Sequence, residues 1–339
     1  MPESGQVRWG IIGTARIARK AFVPAVAAAG GVVTTVAGRE LARASEYAAQ
    51  TGIGRPVQGY QALVDDPDVD ALYIPLPNAL HAEWTIRALR AGKAVLCEKP
   101  LCGTLAETRQ VLAAARETGT PLWEAFVFPF HEQMAKIRGL LADGAIGELR
   151  EIQSAFHFVL DQPDDFRLRR GLAGGSLNDV GCYPVRLAVE LLSGELESAW
   201  AAATLGGDGV DVELAGSLGY TGPQRLTMSC GFLRSDDRFA RLLGTAGQIH
   251  ITDPFHPGPD DSFTLFEAGK EPRGYACTDE VPSFTAAVRH IQRVVRGEEE
   301  PRHLAVDNSL PAARALDALR QAAGRDAASD GQAGGGQPG

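Results

Sequence analysis

The chain has too little organised cysteine to be stapled or metal-held. Its five cysteines, Cys97, Cys102, Cys182, Cys230 and Cys277, are scattered and contain no Cys-x-x-Cys pair. That pattern builds neither a disulfide framework nor a zinc ribbon. Several of them sit in apolar runs, where a reduced cysteine behaves as a small hydrophobe. Basic runs are absent too. With 33 Lys and Arg against 42 Asp and Glu, the formal net charge is −9, and such a surface repels a phosphate backbone. Nucleic acid is therefore not an expected partner. No unbroken apolar stretch is long enough to cross a bilayer. Met1 to Gln6 lack a positive region followed by an apolar one, so a secretory signal is not expected and the cytoplasm is the expected compartment. His81, His131, His157, His250, His256, His290 and His303 show no zinc-like spacing, so no metal site is expected.

What remains is an ordinary globular composition. The 339 residues are 45% apolar and 22% charged, enough for about two domains with sizeable cores. The order of short apolar runs defines the first. Val7 to Ile12 reads as a strand, followed by Gly13-Thr14-Ala15-Arg16-Ile17-Ala18 and an alanine-rich helix to about Ala29. A dinucleotide fingerprint needs this strand–turn–helix context. Only Gly13 keeps a fingerprint glycine; Ala18 is an accepted substitute, and Ala15 puts a methyl where backbone should approach a pyrophosphate. An ordinary helix start is the competing reading.

Val32 to Ala37 reads as the next strand, ending in Gly38-Arg39-Glu40. An acid near this point accepts from the ribose 2′-hydroxyl of NAD, whereas an arginine suits the 2′-phosphate of NADP. Arg39 points to NADP, against the alternative of a solvated pair with Glu40. Helices follow over Leu41–Gln50 and Tyr60–Val64. A buried strand, Val69–Ile74, leads to Pro75-Leu76-Pro77-Asn78, where Asn78 is placed to cap the helix that runs through His81 and Trp84 to Ala91. Next comes Val95-Leu96-Cys97-Glu98-Lys99-Pro100-Leu101, an apolar run ending in an acid, a base and a proline. Charges ending such a strand sit at the carboxyl edge of the sheet, where open α/β sheets bind ligands. Lys99 is either there for chemistry or one half of a solvated Glu98–Lys99 pair. Thr104–Glu117 reads as a helix and Pro121–Phe128 as a strand. The alternation predicts a parallel, doubly wound sheet.

From Glu148 the apolar period becomes two, predicting an antiparallel strand with Ile152, Ser154, Phe156, Phe158 and Leu160 on one side. Similar runs lie at Leu196–Leu205, Val210–Tyr220, Gln224–Phe232, Phe239–Leu243, Gln248–Ile251 and Ser262–Phe266, with helices over Phe284–Arg296 and Leu310–Ala323. The expected domains are residues 1–128 and 129–323, with packing of the C-terminal helix back on the first domain as an alternative. A disordered tail is expected over 324–339. A second polar group, Gly174-Gly175-Ser176-Leu177-Asn178-Asp179-Val180-Gly181-Cys182-Tyr183-Pro184, sets Asp179 and Tyr183 four apart, on one face of a helical turn. Such a pair can orient a hydroxyl and pass it a proton; a helix cap and a core tyrosine are the plainer roles.

Together these pieces resemble the Gfo/Idh/MocA oxidoreductases. The resemblance rests on Trp9-Gly10-Ile11-Ile12-Gly13-Thr14-Ala15-Arg16-Ile17-Ala18, Pro77-Asn78-Ala79-Leu80-His81, Glu98-Lys99-Pro100, Gly144-Ala145-Ile146-Gly147-Glu148 and the Gly174–Tyr183 stretch, in family order. It implies a Rossmann domain followed by a domain with a large open, mostly antiparallel sheet and flanking helices. It implies Lys99 as general acid/base, with Asp179 and Tyr183 completing the catalytic set. The implied cofactor contacts are Gly13, Thr14, Ala15, Arg16, Ile17, Gly38, Arg39, Pro75, Leu76, Asn78, His81, Glu98 and Lys99. Arg167, His157, Asp179 and Tyr183 are the implied substrate contacts. The branch resembled uses NADP(H) in preference to NAD(H) and acts on a carbohydrate or cyclic polyol as a sugar dehydrogenase or ketosugar reductase. To serve both directions, Lys99 needs a pKa brought down from about 10.4 toward neutrality. The open sheet suggests a homo-oligomer, dimer or tetramer. Two rival readings are a glycoside hydrolase that keeps NAD bound and works by transient oxidation, and a non-catalytic NADP-binding regulator, whose usual sign is loss of the Lys-Pro pair that Lys99-Pro100 keeps.

Overall fold

The computed structural model describes residues 5–258, 261–277 and 281–333. The chain divides into two compact units: Met1–His131 with Asp279–Leu310, and Glu132–Thr278 with Pro311–Gly339.

The first unit is built on six parallel strands, β1 (Arg8–Ile12), β2 (Val32–Gly38), β3 (Arg55–Gln58), β4 (Ala71–Ile74), β5 (Ala94–Cys97) and β6 (Leu122–Glu124), in the order β3-β2-β1-β4-β5-β6. Strand order reverses between β1 and β4, which opens a crevice at their carboxyl ends. The turn after β1, Arg39 after β2, Pro75 after β4 and Lys99 after β5 all fall on that edge. Helices cover both faces, which is why β4 and β5 are buried at every position. On one face Phe22 stacks on Tyr73 with ring centroids 4.1 Å apart and meets Trp9 edge-on at 5.1 Å. β3 escapes the sequence reading because Arg55-Pro56-Val57-Gln58 is an edge strand without an apolar run. The expected strand over Pro121–Phe128 is shorter, and Phe128–Phe130 forms a 3-10 turn. The helix Ser283–Val295 belongs to this unit, not to the second domain where the sequence reading put it. Its Val288 and Ile291 are buried in the same apolar cluster as Trp9 and Phe22.

The second unit is an eight-stranded sheet. Its strands are β7 (Leu149–His157), β8 (Leu196–Leu205), β9 (Asp211–Tyr220), β10 (Arg225–Gly231), β11 (Asp237–Gly244), β12 (Gly247–Ile251), β13 (Ser262–Glu267) and β14 (Arg273–Ala276). The order is β14-β13-β12-β11-β7-β10-β9-β8. Pairing is antiparallel except between β7 and β10, so the strand expected as antiparallel is parallel to one neighbour. One face carries a helical segment, a π-turn over Leu177–Gly181 continuing as a helix over Cys182–Leu191. Pro184 fits there because first-turn N–H groups have no helical partner. The last helix runs Ala305–Ala333. The stretch expected as a tail is thus helical to Ala333, and residues 334–339 lie outside the described residues.

Candidate active site

Gly13 opens the turn after β1 with φ +103°, donating its N–H to the Ala37 carbonyl at 2.8 Å. A Cβ there would lie 2.9 Å from Leu76 Cδ2, so glycine is needed both for the backbone and for the close approach of the β4 loop. The Ala15 carbonyl is held by the Tyr47 hydroxyl at 3.0 Å, and burial pushes that phenol up to about 12, so it stays a donor. Thr14 and Ala15 are half-buried, and Arg16 and Ile17 are exposed. The helix then enters a π-turn, Ala18–Phe22.

Gly38 packs tightly, since a Cβ would come 3.0 Å from the Glu40 carbonyl. Arg39 is exposed and has no hydrogen bond or ion pair among the described residues, so the pairing with Glu40 is not formed. Burial raises the pKa of Tyr60, and the guanidinium groups of Arg39 and Arg43 oppose that rise. Two uncommitted cations therefore stand near one phenol at the edge of the sheet, and this arrangement suits an anionic group. An open backbone turn beside Gly13 and free guanidinium charge at the end of β2 fit a phosphorylated dinucleotide.

Lys99 is half-buried in a loop held from four sides. Glu98 N–H donates to the Ile74 carbonyl at 3.1 Å, and the Tyr73 hydroxyl donates to Glu98 Oε1 at 2.5 Å. Burial, with Glu98 next, holds the Tyr73 phenol well above its ordinary range, so the proton stays on the tyrosine. The Lys99–Pro100 peptide is cis. Beyond it, Leu101 N–H donates to Glu124 Oε1 at 2.7 Å, while Ser309 Oγ donates to Glu124 Oε2 at 2.6 Å. His81 is fully buried, with Nδ1 2.9 Å from the Pro100 carbonyl and Nε2 2.7 Å from the Leu76 carbonyl. A neutral imidazole carries one N–H, so it donates to one of these two carbonyls and lies against the other, between the loop after β4 and the loop after β5. Burial lowers its pKa against the opposing pull of both carbonyls and of Glu124. His81 thus has a buried place between two loops, and sequence reasoning missed Glu124 and Tyr73 entirely. Asn78 does not cap the helix as expected: it lies in a 3-10 turn, and the helix begins at His81 with no side-chain cap.

In the second unit Asp179 lies on the π-turn, with Tyr183 in the first turn of the helix beyond. Arg167 Nε donates to Asp179 Oδ2 at 2.7 Å, and its Nη1 reaches Asp165 Oδ1 at 3.2 Å. Burial opposes the charge on Arg167, but Asp179 and then Asp165 outweigh it and raise its pKa. Asp179 is therefore neutralised by Arg167 and does not act as a lone helix cap. The π-turn is itself anchored by Asp211, whose Oδ2 accepts from Ser176 Oγ at 2.7 Å and Leu177 N–H at 2.6 Å. Gly175, φ +106°, admits this carboxylate, since a Cβ would sit 2.3 Å from Asp211 Oδ1.

Tyr183 packs against Phe156 and Phe255, and its hydroxyl lies 3.1 Å from His256 Nε2. His157 lies apart from this pair. Neighbouring strand residues point to opposite faces: Phe156 meets Tyr183, while His157 bonds Ser229 Oγ at 2.9 Å and accepts from Arg234 Nη2 at 2.8 Å on the other face. It is not brought to Asp179 and Tyr183. Asp211 and His256 had no spacing signal to find them. Among the described residues no cluster of His, Cys, Asp or Glu could hold a metal ion, and no helix is long and apolar enough to cross a membrane.

Comparisons with known proteins cover both units. The model of the oxidoreductase family with an NAD-binding Rossmann fold (GFO_IDH_MocA) matches residues 7–126, and the GFO/IDH/MocA C-terminal domain matches 134–250. The chain is 35% identical over 322 residues to D-xylose 1-dehydrogenase (NADP(+)) 2 of Haloferax volcanii, covering 94% of this chain and 98% of that protein. It is 36% identical over 338 residues to dTDP-3,4-didehydro-2,6-dideoxy-alpha-D-glucose 3-reductase of Streptomyces violaceoruber, covering 94% and 95%. The crystal structure of KijD10, a 3-ketoreductase from Actinomadura kijaniata in complex with NADP and TDP-benzene, superimposes with a TM-score of 0.85 at 32% identity, covering 94% of this chain and 98% of that one.

Proposed function

Because the chain belongs to the Gfo/Idh/MocA oxidoreductase family, we propose that it is an NADP(H)-dependent enzyme acting on a secondary alcohol or ketone carbon of a sugar or cyclic polyol. The relatives named above act on xylose and on a dTDP-linked deoxysugar, and both substrate types fall within this reading. The nicotinamide supplies or takes the hydride, and the protein supplies position and proton exchange.

The observation that carries the reading is the frame around Lys99. Glu98, Glu124 and His81 fix the backbone on both sides of it, and we assign the acid–base work to its amine at the strand ends. Gly13 to Ile17, Gly38 and Arg39 hold the dinucleotide, with Pro75, Leu76 and Asn78 on the neighbouring loop. In the second unit Asp179, charge-balanced by Arg167, is assigned to orienting the reacting hydroxyl, and Tyr183 to proton transfer. The same reading makes the protein a cytoplasmic homo-oligomer. Trp200 at 53% and Leu205 at 59% exposure on β8 support association, and a monomeric mass in solution would contradict it.

The test is NADPH consumption, and NADP reduction in reverse, over a panel of D-xylose, D-glucose and a dTDP-linked 3-keto-2,6-dideoxysugar. Lys99→Ala is expected to lower turnover at least a thousandfold while NADPH binding, followed by fluorescence, stays near wild type. Near-normal turnover in that variant would remove Lys99 from the chemistry. Glycoside cleavage without net change in NADPH would favour the hydrolase reading instead.

A further inference from the structure

His256 follows β12 in a short loop shaped by one carboxylate. Asp253 Oδ1 accepts from Phe255 N–H at 3.2 Å and from His256 N–H at 2.9 Å. Asp253 is in turn held by Arg238 Nη1 at 3.1 Å through its other oxygen, and its carbonyl accepts from Gln133 Nε2 at 3.1 Å. The loop is therefore fixed at three points, and it drives Phe255 into the aromatic cluster with Phe156 and Tyr183. The next side chain, His256, presents Nε2 to the Tyr183 hydroxyl at 3.1 Å while the residue remains exposed. Tyr183 itself is buried.

We infer that His256 is the proton relay between solvent and Tyr183. This rests on the reading above, in which Tyr183 exchanges a proton with the substrate oxygen, and it says how a buried phenol is recharged. In ketone reduction the carbonyl carbon gains hydride and its oxygen takes the phenolic proton. The phenolate then takes the proton from Nε2 of His256 as Nδ1 takes one from a solvent acid, so one solvent proton is consumed per turnover. The imidazole is neutral before and after, and exchange with solvent returns its proton to Nε2 for the next turnover. Alcohol oxidation runs the same path backwards. An imidazole suits this because it holds and passes protons near neutral pH with both nitrogens. Among the charged groups nearby, Asp253 on its own loop pairs with Arg238 on β11, which also lies over the Phe156 ring at 5.7 Å. His256 acts through Tyr183 and is thus a positioning and relay residue.

The experiment measures pH–rate profiles on the fastest sugar of the panel for the wild type and for His256→Gln, His256→Phe, Tyr183→Phe and the double variant Tyr183→Phe/His256→Phe. His256→Gln keeps a hydrogen-bonding group but cannot relay a proton. It is expected to lower kcat about tenfold or more with KM for NADPH unchanged, to lose the profile's neutral limb, and to recover with added imidazole. The double variant should be no slower than Tyr183→Phe. A wild-type rate and profile in His256→Gln would overturn the relay. If Tyr183→Phe is itself fully active, the assignment of Tyr183 falls and the relay with it. A substrate-free arm covers a panel with no turnover: the [13Cζ]tyrosine resonance of Tyr183 should follow the titration of a neighbouring imidazole and stop doing so in His256→Gln. A pH-independent Tyr183 resonance in the wild type would overturn the inference.

Discussion

Arg39 and Lys99 are single residues whose meaning comes from what surrounds them. Arg39 ends β2 without a hydrogen bond or ion pair among the described residues, beside Arg43 and the half-buried Tyr60. A guanidinium left uncommitted there is available to a 2′-phosphate, and charge-assisted hydrogen bonds of this kind contribute about 1.5–3 kcal/mol. Arg39→Asp should therefore cut the ratio of kcat/KM for NADPH over NADH by about a hundredfold. It would do so by removing a phosphate contact and adding an acceptor for a ribose hydroxyl. An unchanged ratio, measured with both cofactors on one sugar, would take Arg39 out of cofactor choice. The sequence alone could place Arg39 and Lys99 at strand ends, because apolar runs mark where the strands stop. It could not reach His81's two carbonyl partners or Glu124's grip on Leu101 N–H. Those contacts join residues 5, 19 and 23 apart through backbone atoms, which leave no pattern in residue types.

At the scale of elements, two helical stretches depart from the regular α-helix. Ala18–Phe22 and Leu177–Gly181 are π-turns, an arrangement often found at functional sites. The second is anchored by Asp211 from β9, a buried carboxyl whose pKa burial raises against the pull of Ser176 Oγ and Leu177 N–H. Removing it leaves a buried hydroxyl and a buried N–H without an acceptor, at about 1–3 kcal/mol each. Asp211→Ala should lower the unfolding free energy by about 2–4 kcal/mol, read from denaturant midpoints. A change within about 0.5 kcal/mol would mean that the π-turn stands without this anchor. The large elements were legible because period and length carry them. Thus β4, β5 and the alternating β9 lie where apolar runs and period-two patterns put them. β3 and β14 were not legible, for each is a four-residue edge strand with little apolar content. The face on which His157 lies was not legible for a related reason. Its place one residue past Phe156 decides the face it points to, and the sequence did not say which face carries the helix.

Across the whole molecule the histidines set the response to acid. Burial lowers the pKa of His81, of His157 and of His290, each below the ordinary value of about 6.5. The folded protein keeps these rings neutral where the unfolded chain would protonate them. Below about pH 6.5 the unfolded state therefore binds more protons, and stability falls as pH falls; above that value their contribution is fully present. Two of the three serve the frame of the first unit. His81 lies between the β4 and β5 loops, and His290 accepts from Arg302 N–H at 3.0 Å. The thermal midpoint should drop by roughly 3–6 °C between pH 7.5 and 5.5, a window well above carboxylate titration. His81→Asn keeps one donor and one acceptor but has no ring to protonate, so it should lower the midpoint at pH 7.5 and make its decline shallower. A midpoint flat across that window in the wild type would show that these rings are not held neutral by the fold. It would also remove the reason for expecting the loops around Lys99 to loosen in mild acid.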